Sequence, residues 1–417
     1  MFLSLFLPTF VVYMKMRMKF SELQLERGVL DALDAMRFEE CTPIQKQAIP
    51  LILEGRDLIA VAQTGTGKTA AFLLPILNEL SKGNYPENAI NCVIMSPTRE
   101  LAQQIDQQME GFSYFMPVSN VAVYGGNDGT LFEQQKKGLT LGADVVIATP
   151  GRLLAHINLG YVDLSHVSFF ILDEADRMLD MGFSDDIMQI VKLLPQKRQT
   201  IMFSATMPAK IQQLAKTILN HPAEVKIAAS KPADKILQAA YICYENQKLD
   251  IIRCLFDGQA PERTLVFVSS KIKVKEVFKA LKGMKLNIGE MHSDLEQSQR
   301  EFIMHEFKSG RVNILVATDI VARGIDIDDI RSVINFDVPH DSEDYVHRIG
   351  RTARANNDGV AITLVSKQEQ TAFKAIEIFL NKDIYKIPLP IELGKAPEYN
   401  PQTNEKQKII FRKGRKS

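Results

Sequence analysis

The 417-residue sequence lacks tryptophan, which decides nothing, and lacks a surplus of either charge, which decides more. Lys and Arg together number 50 and so do Asp and Glu, so no net field pulls the chain toward a polyanion, and any nucleic-acid binding must come from local arrangement. Cysteine is scarce and badly spaced for chemistry. Cys41, Cys92, Cys243 and Cys254 form no CxxC pair, which argues against zinc and against a disulfide framework and fits a reducing cytoplasm. A long apolar run is missing too. The opening "MFLSLFLPTFVVYM" is shorter than the ~20 residues a spanning helix needs. It also holds Pro8 and carries Lys15, Arg17 and Lys19 after the apolar stretch, where a signal peptide has its charges before it. Residues 1–17 read as an extension ahead of a start at Met14, Met16 or Met18, and no membrane attachment is expected.

What is present is 46% hydrophobic and 24% charged residues, the balance of a globular protein. The length exceeds what one core usually serves, so two domains are expected. From about Phe20 to Leu380 short apolar runs alternate with helical patterns, which predicts an α/β fold with largely parallel sheets. The candidate strands are "DLIAVA", "NCVIMS", "VAVY", "DVVIAT", "VSFFILD" and "QTIMFSAT", then "TLVFVS", "NILVATD", "SVINFD" and "GVAITLV". The small, polar stretch "KIAASKPADKI" separates the two groups. The expected division is a first domain at 18–225, a linker at 226–240, a second domain at 241–387 and a basic, disordered tail at 388–417.

The unusual residue clusters follow strand ends, where open parallel sheets bind ligands. "AQTGTGKT" (62–69) reads as a phosphate loop between strand and helix, with Ala62 where the generic pattern begins with Gly. Ala62, Gln63, Thr64, Gly65, Thr66 and Gly67 would wrap the phosphates, Lys68 would reach the β/γ oxygens and Thr69 would carry Mg2+. In "FFILDEAD", Asp173 suits Mg2+ and Glu174 suits polarising an attacking water. "CTPIQKQAIP" makes a helix start with Thr42 at the N-cap, Pro43 at N1 and Gln45 completing a capping box, an account that suffices without a ligand. The alternative is that the Gln45 amide reads adenine with Phe38 stacked on the ring. "SPTRE" and "TPGR" begin helices directly after strands. Thr98, Arg99, Thr149 and Arg152 could hold successive phosphates of a nucleic-acid strand there, with Pro97 and Gly151 in the same RNA-facing segments, although either start alone is ordinary capping. "HRIGRTAR" (347–354) gathers His347, Arg348 and Arg351, whose forks suit phosphate. A helix beginning near Asp341 or Ser342 would set both arginines on adjoining faces. His292 and His305 have no metal-like companions and read as surface or hydrogen-bonded residues.

With Phe20 upstream of "RFEECTPIQ", then "AQTGTGKT", "PTREL", "GG" (125–126), "TPGR", "LDEAD", "SAT", "LVFVSS", "TDIVARGID" and "HRIGRTAR" in this order, the chain resembles a DEAD-box RNA helicase of superfamily 2. The resemblance implies two RecA-like domains, Mg2+-dependent hydrolysis of ATP stimulated by RNA, and local, non-processive unwinding of short duplexes or remodelling of ribonucleoproteins. It implies that Thr98, Arg99, Gly126, Thr149, Arg152, Arg300 and Thr318 contact the RNA backbone, with weak sequence preference. Phe20 would join Phe38 at the nucleotide, and Gly324 and Asp326 would approach its ribose. Asp176, Ser204, Thr206 and His347 would couple the two ligands, and Arg348 and Arg351 would act as arginine fingers supplied by the second domain. The chain departs from the family pattern at Arg37 and Ser293, where Gly is usual, and at Ala353. An ATP-gated RNA clamp and a DNA translocase are the rival readings. A cytoplasmic monomer is expected, with ribonucleoprotein or ribosome-assembly partners that the sequence does not specify.

Overall fold

Runs such as Cys92–Met95 and Phe169–Leu172 contain no polar side chain and are buried along their whole length. Four-residue apolar runs of this kind suit central parallel strands covered by helices on both faces. The computed structural model, which describes residues 18–63, 65–126, 129–227, 236–257, 262–284, 286–319, 330–339, 341–352 and 359–401, places them so. The chain divides into two units, with the boundary between Ala229 and Ser230.

The first unit holds β1 (Leu58–Val61), β2 (Cys92–Met95), β3 (Asn120–Val123), β4 (Val145–Ala148), β5 (Phe169–Leu172), β6 (Gln199–Ser204) and β7 (Ala223–Lys226) in one sheet ordered β3-β4-β2-β5-β6-β1-β7. Every pairing in it is parallel. The two-residue period of a strand divides the core. Cys92 and Ile94 face one cluster with Phe72 and Leu74, while Val93 and Met95 face another with Leu153, Met178 and Ile187.

The second unit holds β8 (Ile236–Cys243), β9 (Thr264–Val268), β10 (Ile288–Met291), β11 (Ile314–Thr318), β12 (Ser332–Asn335), β13 (Gly359–Ser366) and β14 (Tyr385–Ile387), ordered β10-β11-β9-β12-β13-β8-β14 and again parallel throughout. Counted from its own first strand, each sheet has the same order, so one topology is built twice.

All ten expected strands are present, and four more were not anticipated: β7, β8, β10 and β14. β7 and β14 are short edge strands, and β10 ("IGEM") carries a glycine and a glutamate at an edge. β8 begins at Ile236, so residues 236–240 belong to the second sheet and not to a linker. Residues 388–401 are also packed where a loose tail was expected. Tyr399 donates to Glu377 at 2.8 Å, and Gln370 bonds the backbone of Glu398 and Asn400, both at 2.8 Å. Residues 402–417 lie outside the described residues. Among the described residues no helix is long and apolar enough to cross a membrane.

The helix Arg27–Ala35 ends in a left-handed cap at Arg37, φ 60°. The Arg37 N–H bonds Asp34 O and the Phe38 N–H bonds Leu33 O at 2.8 Å, the paired closure in which glycine is favoured at this position. Ser293 is not among the left-handed residues, so its replacement of glycine carries no such strain. Ala353 lies outside the described residues. Arg37→Gly should therefore raise the unfolding free energy by about 0.5–1 kcal/mol in urea denaturation, and an unchanged or lower stability would contradict the strain at Arg37.

Candidate nucleotide site and nucleic-acid interface

The strand order sets the site. β5, β6 and β1 are neighbours, so the segments that leave their carboxyl ends lie side by side, and Val61 pairs with Ser204 in register. The loop after β1 turns at Gly67, φ 87°, and a Cβ there would lie 2.5 Å from Gln45 Nε2. Lys68 then starts the helix Lys68–Leu80, whose first N–H groups face the loop.

Lys68 is 6% exposed, and its ammonium has no hydrogen-bond partner among the described residues. Asp173, directly beyond β5, is buried as well. Burial pushes its carboxyl up to about 6, with the charge of Lys68 opposing and that of Glu174 adding. A buried cation without an acceptor beside a buried acid held out of its usual range is costly in isolation. The cost falls away when an oxyanion and a divalent cation enter together. Among the described residues no three His, Cys, Asp or Glu side chains converge as a metal site, so a cation here would rest on Asp173 and the half-buried Thr69 together with oxygens of the nucleotide itself.

Glu174 takes the left-handed conformation, φ 51° and ψ 51°, which a non-glycine residue holds only under constraint. The constraint includes Arg177, one turn on, whose Nη1 bonds Glu174 Oε2 at 3.0 Å in a nearly buried pair. Asp176 Oδ2 accepts the N–H groups of Ala205 and Thr206 at 3.1 and 2.9 Å. Ser204 donates to Thr206 O at 2.8 Å and accepts from Asp176 N–H at 3.3 Å. The three expected coupling residues of this domain are thus one hydrogen-bonded unit.

At "CTPIQ" the capping box forms. Gln45 Oε1 accepts Thr42 N–H at 2.8 Å, and Gln45 Nε2 donates to Gly67 O at 3.1 Å. The amide is engaged at both ends, bracing the phosphate loop. Phe38 has 38% of its surface exposed, whereas Phe20 is buried and meets Phe38 edge-on at 6.4 Å. Phe20 therefore supports the ring that a base could stack on. Gln63 accepts from Thr66 Oγ1 at 2.7 Å within the loop. Gly65 is also left-handed, Ala62 is buried, and Thr64 lies outside the described residues.

Thr98 caps the helix Arg99–Ser113 by accepting Leu101 N–H, behind a buried Pro97. Thr149 precedes the helix Pro150–Asn158 and makes no side-chain cap. Arg99 Nη1 donates to Gly125 O at 3.0 Å, and a Cβ on Gly126 would come within 2.8 Å of it, so the glycine pair is the bed in which Arg99 lies. Gly151 is exposed, and Arg152 Nε bonds Gln135 Oε1 at 2.9 Å.

In the second unit the arginines separate. The helix Ser342–Ile349 stops before Arg351, which lies in the turn that follows. Arg348, expected as a finger, is 3% exposed and committed within its own unit. Its Nε and Nη2 grip Asp319 at 2.6 and 2.5 Å, and its Nη1 bonds Asn335 Oδ1 and Asp337 O at 3.2 and 2.7 Å. Both prongs of the fork are thus engaged inside this unit. His347 lies 4.0 Å from Asp344. Thr318 ends β11, and Arg300 Nη2 donates to Ser293 O at 2.8 Å beside a buried His292. Gly324 and Asp326 lie outside the described residues.

The second unit also repeats the layout of the first without its loop. After β8 the chain runs through "YENQ" into the helix Lys248–Phe256. Lys248, its first residue, is fully buried against Glu369 at 2.7 Å, Glu245 at 3.0 Å and Asp337 at 3.2 Å. Burial would raise Asp337, but Lys248, Lys273 and the Ser269 N–H outweigh it and hold the carboxyl down at about 2.

Arg177 and Gln135 were not anticipated. The i,i+3 spacing from Glu174 pointed to the first, and nothing local points to the second.

Residues 42–214 match the family described as DEAD/DEAH box helicase, and residues 247–356 match the Helicase conserved C-terminal domain. The chain is 42% identical over 374 residues to the ATP-dependent RNA helicase CshA of Listeria monocytogenes, covering 89% of this chain and 71% of that protein. To the DEAD-box ATP-dependent RNA helicase CshA of Geobacillus kaustophilus it is 44% identical over 351 residues, 84% of this chain and 74% of the other. Among solved structures, S. cerevisiae Dbp5 bound to RNA and ADP BeF3 superimposes with a TM-score of 0.79 at 30% identity, covering 89% of this chain and 95% of that one. Mss116p bound to ssRNA and AMP-PNP gives 0.80 at 29% identity, covering 91% and 81%. The two domains are RecA-like.

Removing Arg348 would strand Asp319 and the acceptors on β12 and the segment after it. Arg348→Ala should cost about 3 kcal/mol or more in denaturant unfolding, and Arg348→Lys should rescue little of it because an ammonium cannot reproduce the fork. Wild-type stability in the alanine variant would contradict this anchoring role.

Proposed function

The chain belongs to the DEAD/DEAH box helicase family, and on that premise we propose that it is an ATP-dependent RNA helicase whose RNA-stimulated hydrolysis drives local, non-processive separation of short duplexes or remodelling of ribonucleoproteins. The observation that carries the reading is the buried Lys68 ammonium, which has no acceptor among the described residues, beside Asp173. It is supported by the related Dbp5 and Mss116p structures, which are bound to RNA and to ADP BeF3 or AMP-PNP.

Lys68 and the N–H groups of the loop bind the phosphates, with Gln45 bracing Gly67 and Phe38 offering its exposed face to the base. Thr69 and Asp173 would hold Mg2+, which when bound offsets negative charge on the phosphates. Glu174, fixed by its backbone and by Arg177, orients the attacking water and accepts its proton. The second domain has no phosphate loop at the equivalent turn, so each chain handles one ATP. That domain, read as beginning at Ile236, supplies Arg348 and Arg351 as the fingers, with Gly324 and Asp326 at the ribose. A finger of this kind contributes ~10³ to 10⁵ in rate, roughly 4–7 kcal/mol. A site split in this way is active only when the two domains close on each other.

RNA held by Thr98, Arg99, Gly126, Thr149 and Arg152 on one domain and by Arg300 and Thr318 on the other favours closure by binding the closed form better. Asp176, Ser204, Thr206 and His347 link that binding to the nucleotide. Contacts to the backbone give weak sequence preference. Opening a base-pair step costs ~1–2 kcal/mol, which closure can supply for a short duplex and not for a long one.

Glu174→Gln should retain ATP and RNA binding and abolish turnover. Unchanged hydrolysis would remove Glu174 from the mechanism. Arg351→Ala should lower RNA-stimulated ATPase by at least ~10²-fold while ATP affinity changes far less, and near-normal kinetics would remove the finger. In a duplex-displacement assay the wild type should release a short strand when ATP is hydrolysed. RNA binding with ATP but no strand release would favour a clamp, and equal ATPase stimulation by DNA would favour a DNA translocase.

A further inference from the structure

Gln135 is 1% exposed on the helix Gly129–Leu141 and joins groups that the sequence keeps far apart. Its Oε1 accepts from Arg152 Nε at 2.9 Å and lies 3.1 Å from His156 Nε2, and its Nε2 donates to Tyr124 O at 3.0 Å. The carbonyl at one end and the guanidinium at the other allow only one orientation of the amide. His156 must then donate through Nε2 and accept at Nδ1 from the Tyr161 hydroxyl. Burial and the neighbouring charge of Arg152 hold His156 down at about 4, so this neutral tautomer persists at neutral pH. Phe132 completes the mould, stacked on the imidazole at 4.3 Å with the Arg152 guanidinium 4.5 Å from its centroid.

The other end of the chain of contacts reaches Arg99. Tyr124 carries the Arg99 guanidinium 4.9 Å above its ring, its hydroxyl accepts from Gln103 at 3.2 Å, and the next residue supplies the carbonyl that Arg99 bonds. Arg99, Gly125, Tyr124, Gln135 and Arg152 therefore form one connected path. The path bridges the helices that follow β2 and β4, which are adjacent in the sheet. A free arginine loses rotamer freedom when it grips a phosphate, whereas these two have lost it before any ligand arrives.

We propose that Gln135 is a positioning residue that fixes the spacing of Arg99 and Arg152 to match successive phosphates of one RNA strand. This rests on the reading of those two arginines as RNA ligands. Gln135 touches no RNA itself and acts through both of them.

The test uses the full chain with a non-hydrolysable ATP analogue and a fluorescent oligouridine, titrated over a range of salt. Gln135→Leu should weaken binding roughly fivefold and flatten the dependence of log affinity on log salt by up to ~0.7, the value of one single-strand phosphate contact. The ATPase kcat at saturating RNA should stay near wild type while the RNA concentration for half-stimulation rises. In an Arg152→Ala background the same change should have a clearly smaller further effect, the part that passes through Arg99, because the share that passes through Arg152 is already lost. A purely structural loss would lower kcat as well and would add in full to Arg152→Ala.

Should Gln135→Leu fail to fold, Tyr161→Phe carries the test. It deletes one oxygen on a half-buried ring and releases the His156 tautomer, and it should shift RNA half-stimulation in the same direction, again less when Arg152 is absent. If Arg152→Ala weakens binding while Gln135→Leu does nothing or adds in full, the positioning role is overturned and the RNA reading of Arg152 stands. If Arg152→Ala leaves both affinity and salt slope unchanged, the RNA reading itself fails and this proposal goes with it.

Discussion

The arrangement of the first domain depends on a buried ammonium that no described residue satisfies. Lys68 sits at the head of its helix because Gly67 can take a left-handed turn against Gln45, and nothing among the described residues accepts its protons. Asp173 is brought beside it because β5, β6 and β1 are neighbours in the sheet. Water would ordinarily pair with both groups. Burial withholds that option and leaves an electrostatic deficit that phosphate and a divalent cation together would remove. The deficit is a property of strand order and of one glycine as much as of the two charged residues.

The second domain shows what the same topology does when the deficit is filled from within. Lys248 begins the helix after the equivalent strand and Asp337 follows the equivalent of β5, so the pair occupies the same places in the fold. Here Glu369 and Glu245 complete the charge balance, and the acid is held at about 2 where Asp173 is pushed up to about 6. A buried pair with its hydrogen bonds complete is a structural element, and one left incomplete is a binding site. This contrast favours the first domain over the second for the proposed nucleotide site, since a lysine next to an acid occurs in both.

The strands of the sheets were legible in the sequence because runs such as "FFIL" and "CVIM" are apolar on both faces. The edge strands β7, β10 and β14 were not, because an edge needs fewer apolar residues and tolerates Gly, Glu and Lys. Strand β8 was hidden by its small, polar approach. The phosphate loop, the paired acids and the caps were legible because each is a local pattern with a local physical cause. Gln135 was not, because its partners lie 11, 17 and 21 residues away and meet it only through the sheet. Arg177 could have been read one turn beyond Glu174, as other i,i+3 pairs are.

Arg348 marks the limit of reading by residue type. Two arginines three positions apart in one motif look interchangeable as phosphate ligands, yet Tyr345 and Ile349 are fully buried on the same helix, and Arg348 shares their face. Helical periodicity therefore placed it inward from the start. Arg351, in the turn that follows, is buried as well, at 6% exposed. The fold uses Arg348 to tie this helix to β12 and to Asp319 beyond β11, so an arginine read from its motif as a phosphate ligand also has a structural task that residue type alone does not reveal.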